Sequence, residues 1–195
     1  VAGQGPKNNE LAEKLNTMYG FQSSLRVSNC TAALHLPLMT LAIGDGDDVL
    51  VADYTFPATG HSVMYTGANP IFVDVDKDTY NFDVEDAKNK ITKQTKAIIC
   101  VHTFGQMCEM DKIMRFADEN NLYVIEDCAC ALGAKYKEQY AGTFGDAACF
   151  SFHARKNVTC GEGGLLVLKD KEYYHKAKSL AAFGQETDKN PSNLL

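Results

Sequence analysis

Lys156 stands in the segment Ser151-Phe152-His153-Ala154-Arg155-Lys156-Asn157, just past an expected strand and ahead of the glycine-rich run Gly161-Glu162-Gly163-Gly164. A loop lysine is by default a solvated charge. Held rigidly at a strand end, it can instead form a Schiff base with an aldehyde, provided the site favours the neutral amine. Upstream, Leu122-Tyr123-Val124-Ile125 reads as a short buried strand that runs into Glu126-Asp127. Ligands of open parallel sheets bind beyond the carboxyl ends of the strands. There Asp127 could hold a protonated pyridine nitrogen and keep the ring cationic as an electron sink, or it could simply cap the next helix. Its pairing with Lys156, at the end of the next expected strand, favours a pyridine cofactor between the two.

The elements that must position these residues alternate between strands and helices, the pattern of an α/β protein with a mostly parallel sheet covered by helices on both faces. Strands are expected at Asp48–Val51, Ile71–Val73, Ala97–Val101, Tyr123–Ile125, Ala147–Ser151 and Leu165–Leu168. Helices are expected at Asn9–Met18, Thr31–Leu41, Ala58–Thr66, Val84–Lys90, Met110–Asn120 and Lys171–Ala181. The glycine-rich segment between the last two strands is too short for a crossover helix, so that pair should be antiparallel. Where Val27-Ser28-Asn29-Cys30 turns into the helix opening at Thr31, free N–H groups and the helix dipole would attract a phosphate dianion. An ordinary Ser/Asn cap explains the same residues. Pro37 should remove a hydrogen bond within that helix unless the helix kinks.

Several stretches together resemble the DegT/DnrJ/EryC1/StrS sugar aminotransferases, fold-type I enzymes that depend on pyridoxal phosphate. They are Ser28-Asn29-Cys30-Thr31-Ala32-Ala33-Leu34-His35-Leu36, Tyr54-Thr55-Phe56-Pro57-Ala58-Thr59, Pro70-Ile71-Phe72-Val73-Asp74-Val75-Asp76, Val101-His102-Thr103-Phe104-Gly105-Gln106, Val124-Ile125-Glu126-Asp127 and Cys149-Phe150-Ser151-Phe152. The resemblance implies Lys156 as the Schiff-base lysine and Asp127 as the partner of the ring nitrogen. It implies phosphate contacts from Thr31 and Ala32, a hydroxyl from Ser151, and Phe56 over the ring face, with Tyr54 as second choice. It also implies an otherwise parallel sheet with one antiparallel strand beside the lysine loop. The implied reaction moves an amino group from glutamate or glutamine to a keto-sugar nucleotide, in a homodimer whose site is shared. A dehydratase or other lyase on the same scaffold, and a non-catalytic cofactor-binding regulator, are the alternatives; sugar dehydratases of this kind carry histidine in place of the lysine, so Lys156 speaks against the first.

Two positions depart from the family pattern. Cys130 stands where Gln or His commonly faces the cofactor's phenolic oxygen, and a thiol is a weaker donor. Ala154 replaces a frequent proline ahead of the lysine, which should loosen the loop slightly.

Composition agrees with a globular enzyme. Hydrophobic residues make up 45% and charged residues 23% of the 195, ordinary proportions for a folded chain. A net charge of -6 and the lack of a dense Lys/Arg run argue against a nucleic-acid binder. No stretch reaches membrane-spanning length and no signal peptide is evident, so a cytoplasmic protein is expected. The seven cysteines should be reduced thiols, and no metal site is expected from their spacing. The chain is expected to be truncated at both ends, with 1–183 a cofactor-binding large domain and 184–195 the start of a connection to a C-terminal domain.

Overall fold

The computed structural model describes residues 5–184. Seven strands form one sheet in the order β1-β9-β8-β5-β4-β2-β3: β1 Ser23–Val27, β2 Asp48–Ala52, β3 Asn69–Val73, β4 Thr95–Val101, β5 Tyr123–Asp127, β8 Ala147–Ser151 and β9 Gly164–Leu168. The remaining two, β6 Lys135–Tyr136 and β7 Gln139–Tyr140, make a small separate hairpin. Strands β2, β3, β4, β5 and β8 pair in parallel, whereas β9 runs antiparallel to both β8 and β1. One reversed strand thus lies beside the lysine loop, as expected. Strand β1 was not among the expected strands; its polar Ser-Ser-x-Arg spelling hides a strand that pairs along its whole length with β9.

The sheet is buried on both faces because each strand alternates its side chains between two apolar layers. Val49, Val51, Ala97, Ile99, Ile125, Cys149 and Leu166 point to one layer, shared with Ala33, Leu34 and Leu38 of α2 (Cys30–Thr40) and Ala177 of α6 (Lys171–Ala181). Leu50, Ile98, Cys100 and Val124 point to the other, against Val84 and Ala87 of α4 (Val84–Lys90) and Met110, Ile113 and Phe116 of α5 (Met110–Asn120). On that second face, Leu15 of α1 (Pro6–Tyr19) covers Phe150, Leu165 and Val167 together with Phe21. Helix α3 (Ala58–Met64) ends two residues earlier than expected.

Pro37 does not break α2, which continues to Thr40. A proline at this position deprives the Ala33 carbonyl, one turn earlier, of its helical N–H donor. The buried Cys149 thiol on β8 donates to that carbonyl at 3.0 Å. The sheet under the helix therefore supplies the hydrogen bond the proline removes.

Candidate functional site

The carboxyl ends of β5 and β8 and the amino end of α2 converge on one cleft. Its two connected parts, about 570 and 370 Å³, share Phe56, Asp127, Ala129, Cys130 and Lys156. The larger part adds Thr31, Ser151 and Arg155, and the smaller adds Tyr54, His102 and Phe104.

Lys156 sits in the loop joining β8 to β9, and the base of that loop is tied shut. Phe152 N–H donates to Gly163 O at 2.9 Å, Cys160 N–H to Phe152 O at 3.1 Å, and Thr159 Oγ1 to the same oxygen at 2.9 Å. Lys156 N–H closes a turn on His153 O at 2.9 Å. The half-buried lysine side chain points its Nζ at Cys130 Sγ, 3.1 Å away. Gly164, where β9 begins, is required for the neighbouring close approach: a Cβ there would lie 2.4 Å from Asn29 O and 2.9 Å from Cys30 N. This draws the lysine loop against the start of α2.

Asp127, the last residue of β5, is buried, and its two oxygens have different partners. Oδ1 accepts the Ala129 N–H at 3.1 Å, and Oδ2 accepts the Thr59 hydroxyl at 2.9 Å. Thr59 in turn shares a 2.8 Å hydrogen bond with Thr55. Burial raises the Asp127 carboxyl above its usual value, while these hydrogen bonds, His102 and Lys156 pull in the opposite direction. A carboxylate so placed has acceptor capacity left towards the cleft and gains from a cationic partner.

At the start of α2 the Asn29 side chain accepts the Ala32 N–H at 2.9 Å. Thr31 lines the cleft, but Ala32 does not join it; its amide is capped and its side chain lies on a different cavity, with Ser28 and His35. Ala32 could serve a phosphate with its N–H only by exchanging that cap. Ser151 is in the cleft, its Oγ accepting a long 3.4 Å bond from His153 N–H. Phe56 borders both parts of the cleft and is 71% exposed, with Tyr54 nearby. Lys135 and Lys137, the other lysines near the motif, lie on the β6–β7 hairpin, one over the Tyr140 ring and the other paired with Asp111.

Three supporting residues were not among the expected site residues. Thr59 orients Asp127; its signal was the Thr55-Phe56-Pro57-Ala58-Thr59 stretch, whose two threonines, four residues apart at the entry to α3, bring their hydroxyls to 2.8 Å. Glu126 points to the opposite face from Asp127 and anchors the segment leading into β8. Its oxygens accept the N–H groups of Gly142, Phe144 and Gly145, each at 2.9 Å, and His102 Nε2 lies 3.0 Å away. Burial pulls the His102 ring towards neutrality, against the pull of Cys108 and Glu126 towards the charged form. The Cys108 N–H aimed at Nδ1 at 3.2 Å requires that nitrogen bare, which favours a neutral ring donating through Nε2. With Cys128, these two make a buried group whose ligand atoms lie within 4.8 Å of one another, but both carboxylate oxygens already serve two donors each.

The donor set suits a phosphorylated pyridine aldehyde: a primary amine for the aldehyde, a buried carboxylate for the ring nitrogen, an exposed phenyl ring for its face and a helix start for its phosphate. Comparison with known proteins gives the same direction. The family model described as the DegT/DnrJ/EryC1/StrS aminotransferase family matches residues 1–194. GDP-perosamine synthase of Escherichia coli O157:H7 is 48% identical over 168 residues, covering 86% of this chain and 45% of that protein. The aminotransferase of Psychrobacter cryohalolentis has TM-score 0.88 at 39% identity, over 90% of this chain and 45% of that one. The sugar aminotransferase Spr1654 of Streptococcus pneumoniae, solved in PLP and PMP forms, reaches TM-score 0.91 at 32% identity in the PMP form, over 96% of this chain and 53% of that one. The chain thus spans about half the length of the relatives it matches. No helix among the described residues is long and apolar enough to cross a membrane. By sequence and by fold, the chain is a member of the DegT/DnrJ/EryC1/StrS aminotransferase family.

Proposed function

We propose that this chain is the cofactor-binding part of an aminotransferase that moves an amino group from an amino-acid donor, glutamate or glutamine, to a keto-sugar nucleotide. The observation that carries the reading is the convergence of Lys156 and Asp127 on one cleft at the carboxyl ends of β5 and β8. The naming of the relatives as GDP-perosamine synthases supports the sugar-nucleotide acceptor. Pyridoxal phosphate, when bound, supplies an electron sink for the carbon that loses its proton.

The chain's own residues do the rest. Lys156 Nζ, once released, is the group in reach to take the proton from the substrate carbon and return it elsewhere. Asp127 holds the ring nitrogen by a charge-assisted hydrogen bond, and Thr59 keeps its carboxylate oriented. Thr31, Ser151 and the start of α2 would hold the phosphate, and Phe56 would cover a ring face, where aromatic stacking is worth about 0.5–1.5 kcal/mol beyond area burial. Cys130 sits beside Lys156, where a stronger donor would serve the cofactor's phenolic oxygen. A homodimer is part of the proposal: Phe56 and Phe104, 71% and 79% exposed, leave an aromatic rim at the cleft that a second copy would cover. Seven unpaired thiols suit the cytoplasm.

Borohydride reduction of the holoprotein followed by peptide mapping tests the site; the pyridoxyl label is expected on Lys156. A label on Lys135 or Lys137 instead would remove the basis of the proposal. Screening keto-sugar nucleotides against the full-length protein by mass spectrometry then identifies the acceptor.

A further inference from the structure

We propose that Cys130 and Lys156 form a reversible, oxidation-dependent sulfenamide that withdraws Lys156 from the cofactor; the withdrawal, though not the bond, rests on the function proposed above. The nitrogen and sulfur are already in contact at 3.1 Å. The two residues come from separately pinned segments. The lysine loop is closed by the bonds at Phe152, and the turn carrying Cys130 is fixed by Ala129 N–H on Asp127 and Ala131 N–H on Cys128 O, 2.9 Å. Gly105 packs against that turn, where a Cβ would meet the Cys130 carbonyl oxygen at 2.9 Å. Both backbone segments are therefore held at the cleft with the two side-chain ends within reach of one another.

Access selects this thiol. Cys100, Cys108, Cys128 and Cys149 are buried, whereas Cys130 is exposed at the cleft mouth. Cys160 is exposed too, but its thiol donates to Glu162 O at 3.1 Å. The oxidant is hydrogen peroxide. The Cys130 sulfur attacks one peroxide oxygen; an S–O bond forms, the O–O bond breaks, and the departing hydroxide leaves as water with the thiol proton. The neutral Lys156 amine then attacks the sulfur. An S–N bond forms, the S–O bond breaks, and hydroxide departs with an amine proton as a second water. Sulfur is oxidised by two electrons and peroxide is reduced to water, so the protein loses two hydrogens in all. An added dithiol reverses the link: one thiol attacks sulfur, an S–S bond forms as the S–N bond breaks and the amine leaves with the thiol proton, and the second thiol then displaces Cys130 as its free thiol, leaving the reagent as a disulfide. Such a link would also spare the sulfur from irreversible oxidation.

The test treats full-length protein, freed of cofactor, with hydrogen peroxide and maps it by mass spectrometry without reduction. The expected product is a peptide pair joined through Cys130 and Lys156, two hydrogens lighter than its parts and lost on adding dithiothreitol. In parallel, pyridoxal phosphate titration followed by visible absorbance should fall about ten-fold in bound fraction after peroxide and recover with dithiothreitol. Cys130→Ala should give the same titration before and after peroxide. Sulfinic acid at Cys130 with Lys156 unmodified, or a disulfide from Cys130 to Cys30 or Cys160, would overturn the proposal. If the link forms but even the reduced protein fails to bind pyridoxal phosphate, the link stands and the proposed cofactor role of Lys156 falls.

Discussion

Glu126 and Asp127 are neighbours on one strand, both buried, yet strand alternation sends them into environments of opposite character. Glu126 enters a region where every oxygen is used: three backbone N–H groups and an imidazole close around it. Asp127 enters one where two donors leave it facing a cleft, and burial raises its carboxyl. A satisfied buried carboxylate holds a segment in place, whereas an under-satisfied one awaits a ligand. Residue type does not separate these roles; the count and aim of the donors do.

The largest expected effect tests the closed side. Glu126→Ala leaves three N–H groups and His102 without their acceptor, and loss of about 3–5 kcal/mol of stability is expected, read by thermal or denaturant unfolding of the full-length protein. A loss below about 1 kcal/mol would mean that water replaces this carboxylate and that the comparison misjudges its region. Asp127→Asn acts on the open side: the charge-assisted bond it removes should slow transamination by about 1.5–3 kcal/mol, a ten- to hundred-fold drop, with little loss of fold. Near-normal turnover would show that the ring nitrogen lies elsewhere.

Thr59→Val should cost about 1 kcal/mol and lower kcat by less than Asp127→Asn does, since Ala129 still holds the other oxygen. An equal drop would make the threonine, not the aspartate, the limiting group. The smallest effect is on the cofactor-free protein's pH dependence. The folded-state Asp127 carboxyl is raised, so between its unfolded and folded values the native state binds more protons. Its contribution therefore favours folding at low pH and is lost as pH rises through the folded value. Asp127→Asn should accordingly melt slightly higher than the parent at neutral pH, and the gap should close on acidification. A gap independent of pH would assign the effect to packing.

Much of this architecture was legible because parallel strands buried on both faces spell themselves as apolar runs, as in Val124-Ile125 and Ala147 to Phe150. Strand β1 was not, since Ser23, Ser24 and Arg26 carry no such pattern and their pairing with β9 is a long-range fact. The same limit governs the site. Lys156 and Asp127 could be found from their places at strand ends, but Thr59 reaches Asp127 across 68 residues of sequence. At the start of α2 the sequence allowed both a phosphate site and an Asn cap, and the structure shows the cap, with Asn29 accepting the Ala32 N–H.

The thiol of Cys149 and the ring of Pro37 amount to a single unit. Because the proline leaves the Ala33 carbonyl to the cysteine, substituting either alone has a meaning that depends on the other. Cys149→Ala strands a buried acceptor while Pro37 stays, but restoring a backbone N–H at position 37 gives the carbonyl its donor again. The two positions should therefore show epistasis: Cys149→Ala should cost less stability once residue 37 carries an N–H than while it is proline.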